Sequence, residues 1–426
     1  MAEAICLAAI CGALWLSYRR FGDMFTPLAV YVTVWCGALL LFSIRLINYI
    51  ELSDRTSMLI ASSIVAYVAG CLLCPKLKPS SPAGTEFHLD RFHHILKALM
   101  VVHFCAFVIF VLQMQSRFGI SIYLTDPSQI RAEADDWMKT GVLAIPLLLH
   151  YPILILNYFD VLLNHRLRWY NAVGFIVPVI QELMWTGRGT LVLFIITVFF
   201  MWIYFRAWRT VNRPLIVSGI AALAVAVAGF LALGSVYGKL ISEETGTYNI
   251  SDFNVESSAA LLLAYPYMYV TSPLPTFQEA MADVHDHSGG VRTFYPAARV
   301  MQAFGVLDAL PQFAVFDNYF VPVPNNTYTY LFTYYQDFGS TGVVVVPFIL
   351  GFVHTYLYWR MRSSPSLWTM AAVAISMGTI CFSVFTCLPS TVMIWEAYGV
   401  VYAVWSYSKQ SSHAVATALD NTRTAY

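Results

Sequence analysis

An arginine set between two glycines at a short turn is the sharpest chemical signal in this chain. In Trp185-Thr-Gly-Arg-Gly-Thr190, Arg188 separates two apolar segments and stands at the start of the second. A helix N-terminus disfavours a cation and favours an anion, so a guanidinium there makes sense if an anion binds against both. The competing reading is an interfacial arginine that snorkels to lipid phosphate or pairs with Glu182 one turn earlier. Arg131 has Asp135 at i+4 and could simply pair with it. Arg292 and Arg299 flank Thr-Phe-Tyr-Pro-Ala-Ala, in which Pro296 would open a helix with Arg299 in its first turn. Guanidinium forks bind phosphate in a bidentate way, so several such arginines on one side point to a single anionic ligand.

His285 and His287, in Asp283-Val-His-Asp-His287, have the chemistry of a metal ligand or a general base. The Ser-Gly-Gly that follows also suits a solvated loop tip. Glu182 and Glu396 fall inside apolar segments, where an unpaired charge costs about 2.5–3.5 kcal/mol. They are expected to pair with an arginine or tyrosine, or to serve as a base or relay. His103, His150 and His354 read as satisfied core residues. From Pro322 to Gly339 runs an aromatic stretch beside Asn325, Asn326, Gln336 and Asp337. As a helix from Thr327 it places Tyr330, Tyr334 and Asp337 on one side and Tyr328, Phe332 and Tyr335 on the other; as a strand it alternates. Aromatic faces beside amides and carboxylates suit sugar rings, and a membrane-interface aromatic belt is the alternative.

The elements that must position these residues are membrane helices. Of 426 residues, 58% are apolar and only 11% charged, against about 25% charged in soluble domains. The first apolar run, from Ala4, lacks a basic leader and reads as a retained helix. The cysteines sit in or at the ends of apolar runs, where a thiol acts as a small hydrophobe, so no disulfide framework is expected. Apolar runs long enough to span predict about eleven helices: Ala4–Tyr18, Pro27–Ile44, Ser57–Cys74, His94–Met114, Gly141–Leu163, Trp169–Trp185, Thr190–Trp208, Pro214–Val236, Thr341–Tyr358, Leu367–Cys387 and Thr391–Tyr407.

Basic residues decide orientation. Arg19, Arg20, Lys76, Lys78, Arg91, Arg166, Arg168, Arg206, Arg209, Arg213, Arg360, Arg362 and Lys409 mark the cytoplasmic connections. The N-terminus is then outside and the C-terminus inside. Residues 1–236 carry helices one to eight with a short surface helix near 126–138, capped by Asp126 with Pro127 at its first position. Residues 237–340 form a long outward loop with a short helix at Ser257–Tyr269, and 341–426 hold the last three helices and a cytoplasmic tail. The sequence is all-α and polytopic, with no cofactor, metal or nucleic-acid partner expected.

From Val321 to Arg362 the chain reads VPVPNNTYTYLFTYYQDFGSTGVVVVPFILGFVHTYLYWRMR. This run resembles the C-terminal signature of bacterial oligosaccharide repeat unit polymerases, the Wzy-type O-antigen and capsule polymerases. The points of likeness are an Asn-Thr-Tyr-Thr start, a Tyr-x-Asp-Phe-Gly and a helix with a mid-span glycine. Gly187 to Gly189 and Ile130-Arg131 are further matches. The resemblance implies a fold similar to C-type glycosyltransferases in the bacterial inner membrane, with the long loop in the periplasm. It implies transfer of a growing glycan from undecaprenyl pyrophosphate onto another lipid-linked repeat unit, without a metal. Membrane lipids, a chain-length regulator and a flippase would be its partners. Arg131, Arg188, Arg292 and Arg299 would hold the pyrophosphate, Tyr328, Tyr330 and Tyr334 would face the sugar, and Asp337, or else His285 or His287, would accept the proton. A lipid-oligosaccharide ligase shares these features, and a transporter is the reading from another class.

Overall fold

The computed structural model describes residues 2–78, 87–119, 144–164, 166–185, 188–206, 266–307, 310, 319–321 and 324–409. The elements before the long loop are α1 (Ala2–Phe21), α2 (Pro27–Ile44), α3 (Asp54–Leu73), α4 (Leu89–Phe118), α5 (Ala144–Leu148), α6 (His150–Asn164), α7 (Trp169–Met184) and α8 (Arg188–Arg206). After it come α9 (Pro273–Ala282), α10 (Tyr295–Ala303), β1 (Tyr319–Phe320), β2 (Pro324–Asn325), α11 (Tyr330–Ser363), α12 (Leu367–Phe382), a 3-10 turn (Leu388–Ser390) and α13 (Val392–Ser408). The two strands pair antiparallel, Tyr319 opposite Asn325 and Phe320 opposite Pro324. Among the described residues, six helical stretches are long and apolar enough to cross a membrane, and Gly189–Phe205 and Leu367–Phe382 are shorter apolar helices. The protein is an all-α, membrane-embedded chain.

Helices occupy the expected apolar segments apart from Pro214–Val236, which lies outside the described residues together with the surface helix near 126–138. Two boundaries differ from expectation. The run Gly141–Leu163 is broken at Leu149, because Pro152 lacks the N–H that would close the turn across the break. Side chains stitch the gap: His150 Nδ1 and Gln181 Nε2 lie 2.8 and 3.0 Å from the Leu147 carbonyl. The run Leu367–Cys387 stops as a helix at Phe382 and continues into the turn at Leu388–Ser390. Within α11 the piece after Gly339 begins where the expected span from Thr341 does, and a separate helical piece, 330–338, precedes it, so the end of the expected loop is already helical. Gly339, at φ 62° and ψ −151°, is non-helical and divides α11 into two helical pieces, 330–338 and 340–363.

The described chain divides into two compact units, residues 1–76 with 220–359 and 376–394, and residues 77–219 with 360–375 and 395–426. In the first unit, α2 is capped by Thr26, whose side chain accepts from Ala29 N at 3.2 Å, with Pro27 in its first turn. Ser53 caps α3 in the same way, accepting from Thr56 N at 3.2 Å. Lipid is as apolar as leucine, so close backbone approach and polar contacts must hold membrane helices together. Both occur here. A Cβ on Gly70 would lie 2.0 Å from the Phe348 carbonyl oxygen, and one on Gly351 2.2 Å from that of Tyr67. Across the same region Tyr31 and Tyr67 stack at 3.7 Å, Tyr31 Oη bonds Tyr330 Oη at 2.7 Å, Trp35 Nε1 donates to Ser383 Oγ at 2.8 Å, and Tyr67 Oη pairs with His354 Nδ1 at 2.9 Å.

The two ends of this unit differ in chemistry. At one end Arg20 Nη2 donates to Cys74 O at 2.8 Å, Tyr358 Oη donates to Asp23 Oδ2 at 2.7 Å, and Lys76 stands over the Trp359 ring. The opposite end receives the described part of the long insertion. There Tyr267 Oη donates to Leu41 O at 3.0 Å, Thr271 Oγ1 donates to Tyr49 Oη at 2.9 Å and Ser53 N donates to Gln278 Oε1 at 2.6 Å. Asn325 Nδ2 donates to Thr276 Oγ1 at 2.8 Å, tying the β pair to α9.

In the second unit a buried carboxylate organises the α6–α7 turn. Asp160 accepts from Tyr170 Oη, Asn171 Nδ2 and Asn164 Nδ2 at 2.9, 2.9 and 2.6 Å and meets His93 Nε2 at 2.8 Å. Each partner satisfies oxygen capacity that would be costly to leave unpaired in lipid. Nearer the other end of α7, Glu182 Oε1 and His150 Nε2 form a buried pair at 2.9 Å.

Candidate functional site

The candidate site lies where the insertion meets the start of α11. Asp337 is 1% exposed. Its Oδ2 accepts from Thr293 N at 2.5 Å, and its Oδ1 accepts from Arg292 N at 3.2 Å and from the Ser288 hydroxyl. Backbone bonds continue the seam, Ser288 N to Gln336 O at 3.0 Å and Gly289 N to Asp337 O at 3.1 Å. Residues 288–293 are thereby wrapped around one turn of α11. The carboxylate's lone pairs are turned to these donors, so that in this arrangement Asp337 acts as a clasp that sets the loop.

What the clasp presents differs from the clasp itself. His285, Asp286 and His287 are exposed. The His287 ring stands perpendicular to Tyr335, centroids 5.9 Å apart, and lies against Gly339. Glycine is required there by its positive φ, and a Cβ, 2.9 Å from His287 Nε2, would also push that exposed ring aside. Tyr335 Oη in turn accepts from Arg55 Nη2 at 2.9 Å. Arg292 is half-buried and its guanidinium has no hydrogen bond among the described residues. Burial pulls it below the usual arginine value while Asp337 opposes that shift; an arginine stays charged regardless. Beside it the Thr293 hydroxyl is buried without a partner among the described residues. A half-buried cation of this kind has the chemistry of an anion contact.

The aromatic candidates lie deeper. Tyr330 and Tyr334 are 2% and 1% exposed, in a T-shaped contact at 5.2 Å. The void among Tyr31, Tyr67, Tyr330 and His354 is about 10 Å³, roughly the space of one water. In this arrangement Tyr330 and Tyr334 are buried packing residues that position α11. Tyr328 is stacked on Phe332 at 4.7 Å and meets Tyr319 edge-on. As the helical reading of this stretch required, Tyr330 and Tyr334 share a face, but that face is the protein interior.

Arg299 sits on α10, which Pro296 opens as expected. Arg188 is the first residue of α8 in the other unit, and Arg131 lies outside the described residues. Asp337, His285, His287 and Arg292 are thus gathered by one short segment, 285–293, laid over one helical turn. Glu182 Oε1 meets His150 Nε2 at 2.9 Å, and the side chain of Arg188 lies outside what is described. Sequence reasoning gave Ser288 and Thr293 no role and did not join Tyr335 to Arg55. Arg55 and Tyr335 are 280 positions apart, so no local pattern could join them; Ser288 carried a signal only as a turn residue. Comparison with protein-family profiles, with curated proteins and with solved structures returns no match.

Proposed function

We propose that this chain is a membrane glycosyltransferase that polymerises oligosaccharide repeat units carried on undecaprenyl pyrophosphate, at the outer face of a bacterial inner membrane. The observation that carries the reading is a coincidence of position. The segment that resembles repeat-unit polymerases contains the joint, Tyr335 to Gly339, on which the insertion folds and presents His287 and Arg292. In this reading the apolar runs form about eleven spans, the N-terminus is periplasmic, and the insertion faces the periplasm.

In the reaction the acceptor hydroxyl oxygen attacks the anomeric carbon of the donor glycan. The bond from that carbon to the pyrophosphate oxygen breaks, and the electron pair leaves with the carrier pyrophosphate. Guanidinium groups stabilise that developing charge, with Arg292 and Arg299 the candidates beside the clasp and Arg188 and Arg131 the candidates from the sequence; one preorganised donor of this kind is worth about 3–4 kcal/mol. The acceptor proton passes to His287 or His285, the exposed titratable groups of the segment. Asp337 positions them by holding residues 288–293. Arg292 also offers its half-buried charge, and no resident metal is required by these roles.

The test is turnover of one defined lipid-linked repeat unit by the purified protein in liposomes. A ladder of products on undecaprenyl pyrophosphate is the expected result. Product only after a second kind of lipid acceptor is added would make the protein a ligase, and movement of substrate across the bilayer without new bonds would make it a transporter. Arg188→Ala should lower polymerisation about a hundredfold with normal membrane insertion. Full activity in that variant would remove Arg188 from the mechanism.

A further inference from the structure

The insertion carries an apolar face that nothing in the proposed chemistry uses. On α10 and the turn after it, Val300, Met301, Phe304 and Val306 are 55%, 42%, 81% and 68% exposed, while Pro296 and Ala298 face inward. Side chains of this kind, contiguous along one short helix outside the long apolar spans, need an apolar partner.

The level at which they sit follows from α11. Its last turn carries Arg360 and Arg362, and a hydrocarbon layer of about 30 Å takes about 20 helical residues at 1.5 Å each. Counting back from Arg360 brings the opposite boundary to the neighbourhood of the Gly339 kink. Asp337 lies just beyond it and holds Thr293 by its backbone. Tyr295, the first residue of α10, is only two residues further along the chain, a reach of about 7 Å at most. Below the kink α11 shows the exposed face of a lipid-embedded helix, with Val345, Ile349 and Val353 at 46%, 50% and 41%. The apolar face of α10 therefore begins at the depth where that lipid-facing stripe begins, and Arg292 and Arg299 flank it with charge suited to phosphate headgroups.

We infer that α10 is an in-plane membrane anchor, lying along the headgroup boundary with Val300, Met301, Phe304 and Val306 in the acyl layer. The anchor sets the height of the clasped 285–293 segment above the bilayer. This does not depend on the reaction proposed above and holds for any role the clasped segment plays.

The experiment uses the full chain in liposomes with cysteine placed at Phe304 or Val306, two exposed positions whose replacement removes no buried packing, and at Asp286 as the exposed control on the same segment. A water-soluble maleimide is applied, and labelling is read peptide by peptide because the chain has eight native cysteines; labelling after denaturation checks that each new thiol reacts. The expected result is labelling at 304 and 306 about tenfold slower than at 286, unchanged when the protein is diluted into excess lipid. Equal rates at all three positions overturn the inference, since the face would then be in water. Protection that disappears on dilution also overturns it, because a second copy of the chain, and not lipid, would be the cover.

Discussion

Replacing Asp337 separates a clasp from a base. Alanine at 337 removes the acceptor for Thr293 N at 2.5 Å and for Arg292 N at 3.2 Å, and the partner of the Ser288 hydroxyl. A buried donor left unmade costs about 1–3 kcal/mol. The Thr293 bond is the shorter and more buried and takes the larger share, whereas half-buried Arg292 can recover part of its loss from water. The local total is then about 2–3 kcal/mol, and at about 1.4 kcal/mol per tenfold residues 288–293 should open roughly 30- to 100-fold more often. Asparagine retains one acceptor oxygen but turns an amide donor towards another donor, so Asp337→Asn should show about half of that free-energy cost. Hydrogen exchange read by mass spectrometry over 286–296, with the protein in lipid nanodiscs, measures this directly. Exchange unchanged in Asp337→Ala would refute the clasp; unchanged exchange in Asp337→Asn with turnover abolished would restore the carboxylate as the base.

Two further perturbations probe the frame. Gly339→Ala places a side chain in a backbone region that non-glycine residues occupy at a cost of about 1–3 kcal/mol. The predicted loss of thermal stability should persist in a Gly339→Ala, His287→Ala double variant, since exposed His287 can move aside; complete rescue would mean that the steric contact, not the backbone, dominates. In the other unit, Glu182→Leu leaves His150 without its buried partner and should destabilise by about 3–5 kcal/mol. The Glu182→Leu, His150→Leu pair should lie much closer to the parent in thermal unfolding, and additive losses would show that the two residues are not coupled.

Much of the helical frame was legible because composition and run length are local properties. Pro27–Ile44 was bounded to the residue by Thr26 with Pro27 at one end and the charge of Arg45 at the other. Pro296 announced α10 for the same local reason. The piece of α11 after Gly339 was legible from Thr341 by hydropathy, whereas the piece before it, 330–338, mixes polar and aromatic residues and read equally as helix or strand. The site was legible in part. Asp337, His287 and Arg292 stood out by type, but whether a carboxylate offers its oxygens to substrate or to a neighbouring backbone is settled by chain segments 44 or 45 residues away. Burial likewise sets the packing role of Tyr330 and Tyr334 in this arrangement, because an aromatic beside a polar residue looks alike in a sugar cleft and in a helix interface.

Gly70 and Gly351 carry a mechanical consequence. Each meets the other helix at its backbone, Gly70 at Phe348 and Gly351 at Tyr67, so α3 and α11 are notched into one another and neither can slide along its axis without collision. Gly351 is twelve residues from the kink at Gly339, about 18 Å of helix. Above Gly339 the piece 330–338 is held as well, by Tyr330 Oη on Tyr31 Oη at 2.7 Å, Tyr330 N on Ser383 O at 2.8 Å and Arg55 on Tyr335 Oη at 2.9 Å. Displacement at His287 or Arg292 must then arise within the clasped segment itself, by release from Asp337, while both pieces of α11 stay in place as its post.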